Sequence, residues 1–249
     1  MDIAAYYDIA YTDHTIMNPI REDALLGIVG RFVRHSEPAL LDIGSGKGYP
    51  ALALAREFGA RCTLLDSRPR WNDAARTLFA KHGLERLLVR QETQASALSF
   101  GTPQWQIIMC LGTTPVFGNF SAALRILGPA LSNDGFFIIG EPCIDVPLPR
   151  AYRAWINRQG WDILDMRRLL RILDMQRLEL RCCRRSTTEE WDDYMNLQWN
   201  SIIEHAASRP ADPSAREYLA RAREERNIYL RYQRHYMEWN ALIIFRRGS

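Results

Sequence analysis

The nine residues LLDIGSGKG at 40–48 constrain this chain more than any other stretch. They close a short apolar run, Ala39–Ile43, and open ALALAREFGA, which has the composition of a helix. Glycines alternating at 44, 46 and 48 between a strand and a helix predict a tight turn whose backbone comes close to a ligand. The spacing is GxGxG. It is not the GxGxxG of dinucleotide enzymes, and Lys47 is followed by Gly48 with no Ser or Thr, so it is not a phosphate-binding GxxxxGK[ST] loop either. Asp66 follows about 20 residues after the loop, at the end of the next strand candidate. A carboxylate there can accept both hydroxyls of a ribose.

Around the loop, strand-like and helix-like segments alternate. Strands are predicted at Ala39–Ile43, 62–65, 86–90, 107–111, 135–140 and 178–183, with helices between them, and WNALIIFRR at the end reads as a seventh. This pattern predicts an α/β fold: a Rossmann-like, doubly wound, seven-stranded sheet. The last strand follows a helical excursion and is expected to be an antiparallel edge. Residues 187–236 read as two helices, 189–207 and 213–235, split by Arg-Pro-Ala-Asp-Pro. The expected organisation is a helical cap segment over 1–35, a core over 36–186 plus 237–249, and a helical cap insertion over 187–236.

Composition narrows the class. At 47% hydrophobic and 24% charged residues the chain is not disordered. A net charge of +3 is too small to imply a polyanionic partner. No apolar run approaches the ~18 residues of a membrane span, and MDIAAYYDIAYTDH lacks the basic start and apolar stretch of a signal peptide. Five cysteines without CxxC or Cys/His spacing predict reduced thiols in a cytoplasmic protein and no metal site. The expected partners are a small-molecule acceptor, with no nucleic acid and no membrane. The sequence is silent on oligomeric state.

GxGxG preceded by an acid resembles the first motif of class I S-adenosylmethionine-dependent methyltransferases. QASALSF (94–100), WQIIMCLGTT (105–114) and LRILGPALSNDGFFIIGEP (124–142) resemble later family segments, in the right order. The likeness covers roughly 36–185 and the last strand. It implies S-adenosyl-L-methionine as cofactor, with Asp42 near its ammonium group and Gly44, Ser45, Gly46 and Gly48 lining it. It implies Asp66 on the ribose with Ser67 adjacent, Gln94 and Ala95 by the adenine, and Cys110 and Leu111 at the end of the fourth strand. Gln94 and Gln106 stand where many members carry Asp.

CLGTTPVFGNF, WDDYMNLQW and RHYMEWNALIIF resemble a subgroup of bacterial small-molecule methyltransferases, with the forms C-x-G-A-x-x-x-x-G-G, W-x-x-Y-x-x-x-x-W and Y-F-G-W-G-V-F. This chain departs at Thr113, Asn119, Glu238 and Asn240. The resemblance implies methyl transfer to a nucleophilic N, O or S atom. His14, Glu141 and His235 are the candidate bases. Tyr7, Tyr11, His14, Thr113, Glu141, Trp191, Tyr194, Tyr232 and Tyr236 are the candidate acceptor residues. Polar-tipped aromatics suit a small aromatic or heterocyclic metabolite. Two alternatives stay open: a nucleic-acid methyltransferase, and a non-catalytic S-adenosylmethionine-binding partner protein.

Overall fold

The computed structural model describes residues 1–93, 98, 100–144 and 146–248. Gln94 and Ala95 lie outside the described residues. The sheet contains β1 (Ala39–Ile43), β2 (Arg61–Leu65), β3 (Leu88–Glu92), β4 (Trp105–Leu111), β5 (Leu131–Ile144), β6 (Leu164–Asp165), β7 (Leu178–Arg185) and β8 (Met237–Arg246). Their order is β3-β2-β1-β4-β5-β8-β7, and the two-residue β6 pairs with β5. β1 to β5 are parallel, and β8 runs antiparallel to both neighbours. The order reverses between β1 and β4, so a crevice opens at their carboxyl ends.

One expectation is corrected. β8 is antiparallel, but it is an interior strand rather than an edge, and β7 takes the edge. The reason lies in the side chains. Ala241 to Phe245 are all buried, so both faces of β8 need cover, and an interior strand pairs on both sides. β7 alternates half-buried and exposed positions and carries Arg181, Arg184 and Arg185, a pattern that suits a protected edge.

Period-two alternation sends Leu40, Leu64, Met109 and Ile138 to one face of the sheet. Leu41, Leu65, Ile108 and Phe137 go to the other. The second face is covered by α5 (Phe120–Leu127) and α7 (Met166–Met175). The first packs under α1 (Ile3–Ala10), α2 (Glu22–Val29), α3 (Tyr49–Phe58), α4 (Pro69–Lys81), α6 (Arg150–Gln159), α8 (Thr188–Ser208) and α9 (Pro213–Ile228). A π turn, Tyr229–Gln233, links α9 to the short α10 (Arg234–Tyr236). Each fully buried Leu, Ile or Phe in these layers is worth about 1.5–3 kcal/mol.

α8 starts with a reciprocal capping box, in which Glu190 N–H donates to Thr187 Oγ1 and Thr187 N–H to Glu190 Oε2. α9 starts at Asp212-Pro213, with the Asp212 side chain accepting from Ser214 N–H. Among the described residues no helix is long and apolar enough to cross a membrane.

Candidate active site

At the carboxyl end of β1, Gly44 has φ +67°, and a Cβ there would lie 2.2 Å from Thr113 Cγ2. Gly46 has φ +53°, with Met17 Sδ 2.6 Å from where its Cβ would be. The glycines thus serve two close approaches at once: Thr113 from β4's end and Met17 from the N-terminal segment. Thr113 is fixed there because its hydroxyl donates to the Ile43 carbonyl at 2.6 Å.

The loop borders a cavity of about 490 Å³, within the usual range for small-molecule sites. Asp42 is buried at its floor, and its Oδ2 has no partner. Burial, then the nearby Asp66 charge, pushes its carboxyl up to about 8. Asp66 accepts from Gly46 N–H at 2.8 Å and Arg68 N–H at 2.9 Å. Burial raises its pKa, and these two donors oppose the rise. Lys47 Nζ donates to the carbonyls of Tyr11, Thr12 and His14 at 2.7, 2.7 and 3.0 Å. The N-terminal segment is thereby clasped over the loop.

Glu141, near the end of β5, lines the same cavity and accepts from the Thr114 hydroxyl. Burial pushes its carboxyl up to about 7, against the Thr114 hydrogen bond and with a smaller push from Asp162. Above it stand Tyr11, Trp191 and Tyr194, and the hydroxyls of Tyr11 and Tyr194 lie 2.8 Å apart.

Of the cofactor candidates, Asp42, Gly44, Ser45, Gly46, Asp66 and Leu111 border the cavity. Gly48 instead supports the loop from beneath, against Ala75 and Leu64. Ser67 is exposed, and Cys110 sits behind Thr113 with its thiol pushed up to about 12 by burial. Of the acceptor candidates, Tyr11, Thr113, Glu141, Trp191 and Tyr194 border it.

The others do not border it, each for a visible reason. Tyr7 stacks on Tyr11 at 5.9 Å and its hydroxyl accepts from Arg221. His14 is buried with Nε2 2.9 Å from the Tyr194 carbonyl, so its ring braces the roof rather than facing the cavity. Tyr232 stacks on Tyr152 at 5.3 Å, Tyr236 packs against the core, and His235 is exposed. Tyr232 thereby joins the segment after α9 to α6.

Sequence reasoning missed Asn18, Trp71, Trp161, Asp162 and Trp239, all of which border the cavity. Only Trp239 left a signal. It packs on Gly140, where a Cβ would lie 2.3 Å from its ring, and a Gly facing an aromatic across paired strands is a readable pattern. The rest reach the site from loops or from helix positions that periodicity cannot assign.

The buried polar atoms test the fit of the cofactor. Asn18 Oδ1, Asp42 Oδ2, Ser45 Oγ, Trp71 Nε1 and Trp191 Nε1 all lack protein partners and all belong to residues around this cavity. Such atoms cost free energy unless a ligand or water pairs with them. A ligand with an ammonium group, ribose hydroxyls and ring nitrogens meets that need.

Residues 40–135 match the family profile described as a methyltransferase domain. The matched stretch runs from β1 into the start of β5 and holds the glycine loop, the switch point and the acids at the ends of β1 and β2. Over 99% of its length the chain is 25% identical to the uncharacterized protein YjhP of Escherichia coli, all of which is covered. Its fold is similar to a methyltransferase of Geobacter sulfurreducens solved with S-adenosyl-L-homocysteine (TM-score 0.86, 23% identity, 99% of each chain covered). It is also similar to one of Thiobacillus denitrificans solved with the same molecule (TM-score 0.87, 21% identity, 99% of this chain and 100% of that one).

Proposed function

We propose that the chain transfers the methyl group of S-adenosyl-L-methionine to a nucleophilic nitrogen, oxygen or sulfur of a small aromatic or heterocyclic metabolite. The supporting observation is one continuous cavity that runs from Asp42 and the glycine loop to Glu141 beneath Tyr11, Trp191 and Tyr194. The cofactor supplies a methyl carbon already activated by the sulfonium. The protein's work is to hold, align and dehydrate. Asp42 takes the cofactor's ammonium, and the lone pairs that Asp66 keeps beyond its two backbone donors take the ribose. Glu141 stands where it can accept a proton from the nucleophile. The roof shuts water out. Five thiols without disulfide partners fit a cytoplasmic place of action.

The experiment has two stages. Calorimetry with S-adenosyl-L-homocysteine tests the cofactor site. Transfer of labelled methyl to a panel of N-, O- and S-nucleophiles, with tRNA, rRNA and duplex DNA beside them, then tests the acceptor class. Labelling of a polymer in preference to every small molecule would overturn the small-acceptor reading.

A further inference from the structure

The chain holds 30 arginines and two lysines, yet no arginine borders the active-site cavity. Among the described residues its charged lining is Asp42, Asp66, Glu141 and Asp162 against Lys47 alone, and the Lys47 ammonium is already committed to three backbone carbonyls. The bound cofactor carries two positive charges and one negative, so it offsets at most one carboxylate. Asp42 faces the cofactor's ammonium in this reading, and Asp66 is met by two backbone N–H groups and the neutral ribose hydroxyls. Glu141 and Asp162 remain, both on the cavity wall, and the Asp162 charge adds to the push on the Glu141 carboxyl.

Asp162 keeps an ion pair with Arg168 at 2.8 Å, but Arg168 itself is not part of the lining. Glu141 has only the neutral Thr114 hydroxyl among its hydrogen-bond donors. The same cavity is lined by Trp161, Trp191 and Trp239 and by Asn18, whose Oδ1 is an unpartnered acceptor. A carboxylate or phosphate would meet like charge here and no guanidinium. A cation would meet carboxylates, aromatic faces and a free amide oxygen.

We propose that the methyl acceptor is a basic amine, bound as its ammonium between Glu141, Asp162 and the tryptophans, and that the methylated atom is its nitrogen. This rests on the methyltransferase reading and narrows its acceptor to one chemical class. The balance is as follows. The ammonium N–H passes its proton to the Glu141 carboxylate, leaving a neutral amine and a carboxylic acid. The amine lone pair then forms the N–C bond as the methyl C–S bond breaks, and sulfur keeps that electron pair as a neutral thioether. The product is again an ammonium, and Glu141 returns its proton to solvent.

A permanent cation tests recognition apart from chemistry. The probes are benzyltrimethylammonium and benzylsulfonate, matched in size and opposite in charge. Each is titrated into the full chain saturated with S-adenosyl-L-homocysteine, with tryptophan fluorescence and calorimetry as readouts. The expected result is that the cation binds at least tenfold more tightly than the sulfonate. Glu141→Gln and Asp162→Asn should each weaken the cation about fivefold while leaving S-adenosyl-L-homocysteine affinity unchanged.

If S-adenosyl-L-homocysteine binds but the cation has no preference over the anion, this inference is overturned and the methyltransferase reading stands. If S-adenosyl-L-homocysteine itself does not bind, both fall together. Cation affinity unchanged from that of the native sequence in both variants would also overturn the site as assigned, and circular dichroism separates that outcome from misfolding.

Discussion

Asp42 is an acid whose ionisation the fold opposes, which makes it a pH sensor of the cofactor-free protein. Its folded pKa, about 8, lies above its unfolded one. At low pH both states are protonated and no penalty applies. As pH rises past the ordinary carboxyl range, the unfolded chain releases the proton and the folded one keeps it. Stability therefore falls with pH until about 8 and is level beyond. Denaturant melts from pH 4 to 9 should show that decline. Asp42→Asn should make it shallower, the raised Glu141 carboxyl keeping its own share, and saturating S-adenosyl-L-homocysteine should make it shallower in the native sequence. Asp66 plays a different part, since it already accepts two loop N–H groups. Asp66→Ala should weaken cofactor binding by about 1.5–3 kcal/mol, the scale of hydrogen bonds to a charged group. Unchanged affinity by calorimetry in a folded variant would remove Asp66 from the ribose site. Both acids were readable from sequence because each ends an apolar strand beside the glycines. Asp162 was not, because it precedes a two-residue strand that leaves no period to read.

The elements differ in how openly they declare themselves. The loop does so through φ: Gly44 needs a left-handed conformation and also room for Thr113. Gly44→Ala should lower stability by about 1–3 kcal/mol and abolish cofactor binding. Adding Thr113→Ala should restore part of the stability, because it removes the Cγ2 and Oγ1 contacts and leaves the Cβ contact and the φ strain. Thermal melts of the two single variants and the double variant read that coupling, and strict additivity would show that the contact is relaxed elsewhere. α6 went unannounced, although Tyr152, Trp155 and Ile156 carry i, i+3, i+4 spacing and are buried; the proline-rich approach to it reads as loop. The cap helices showed the opposite failure. Their aromatic residues were legible, but residue type reports only that a ring needs cover, not what covers it. Trp191→Ala should therefore depress acceptor turnover with cofactor affinity kept. Tyr232→Ala, which loses a ring stacked on Tyr152, should lower the melting temperature and leave acceptor KM alone.

Across the whole molecule, the N-terminal segment and the cofactor loop are fastened to each other at several points. Lys47 holds three carbonyls, Arg68 bonds Asp8 and the Ala4 carbonyl, and Arg70 bonds Asp8. Lys47→Met should free residues 1–20, seen as faster amide exchange there and weaker S-adenosyl-L-homocysteine binding, with exchange in β4 and β5 unchanged. The general plan of alternating strands and helices was legible in the sequence because alternation is a local property. The place of β8 was not, because strand order is decided by pairing between segments far apart in the chain. That placement bears on how the protein comes into being. β5 pairs with β8 along nine registered positions, Phe136–Ile144 against Met237–Phe245. Until residues 237–246 have left the ribosome, β5 has one naked flank and β7 has no neighbour at all. The loop, the acids and β4 precede β8 in the chain by more than 100 residues, yet the sheet around Glu141 closes only when β8 pairs with β5. Vectorial synthesis thus yields a nascent chain that has its glycine loop well before β8 can complete the sheet that carries Glu141.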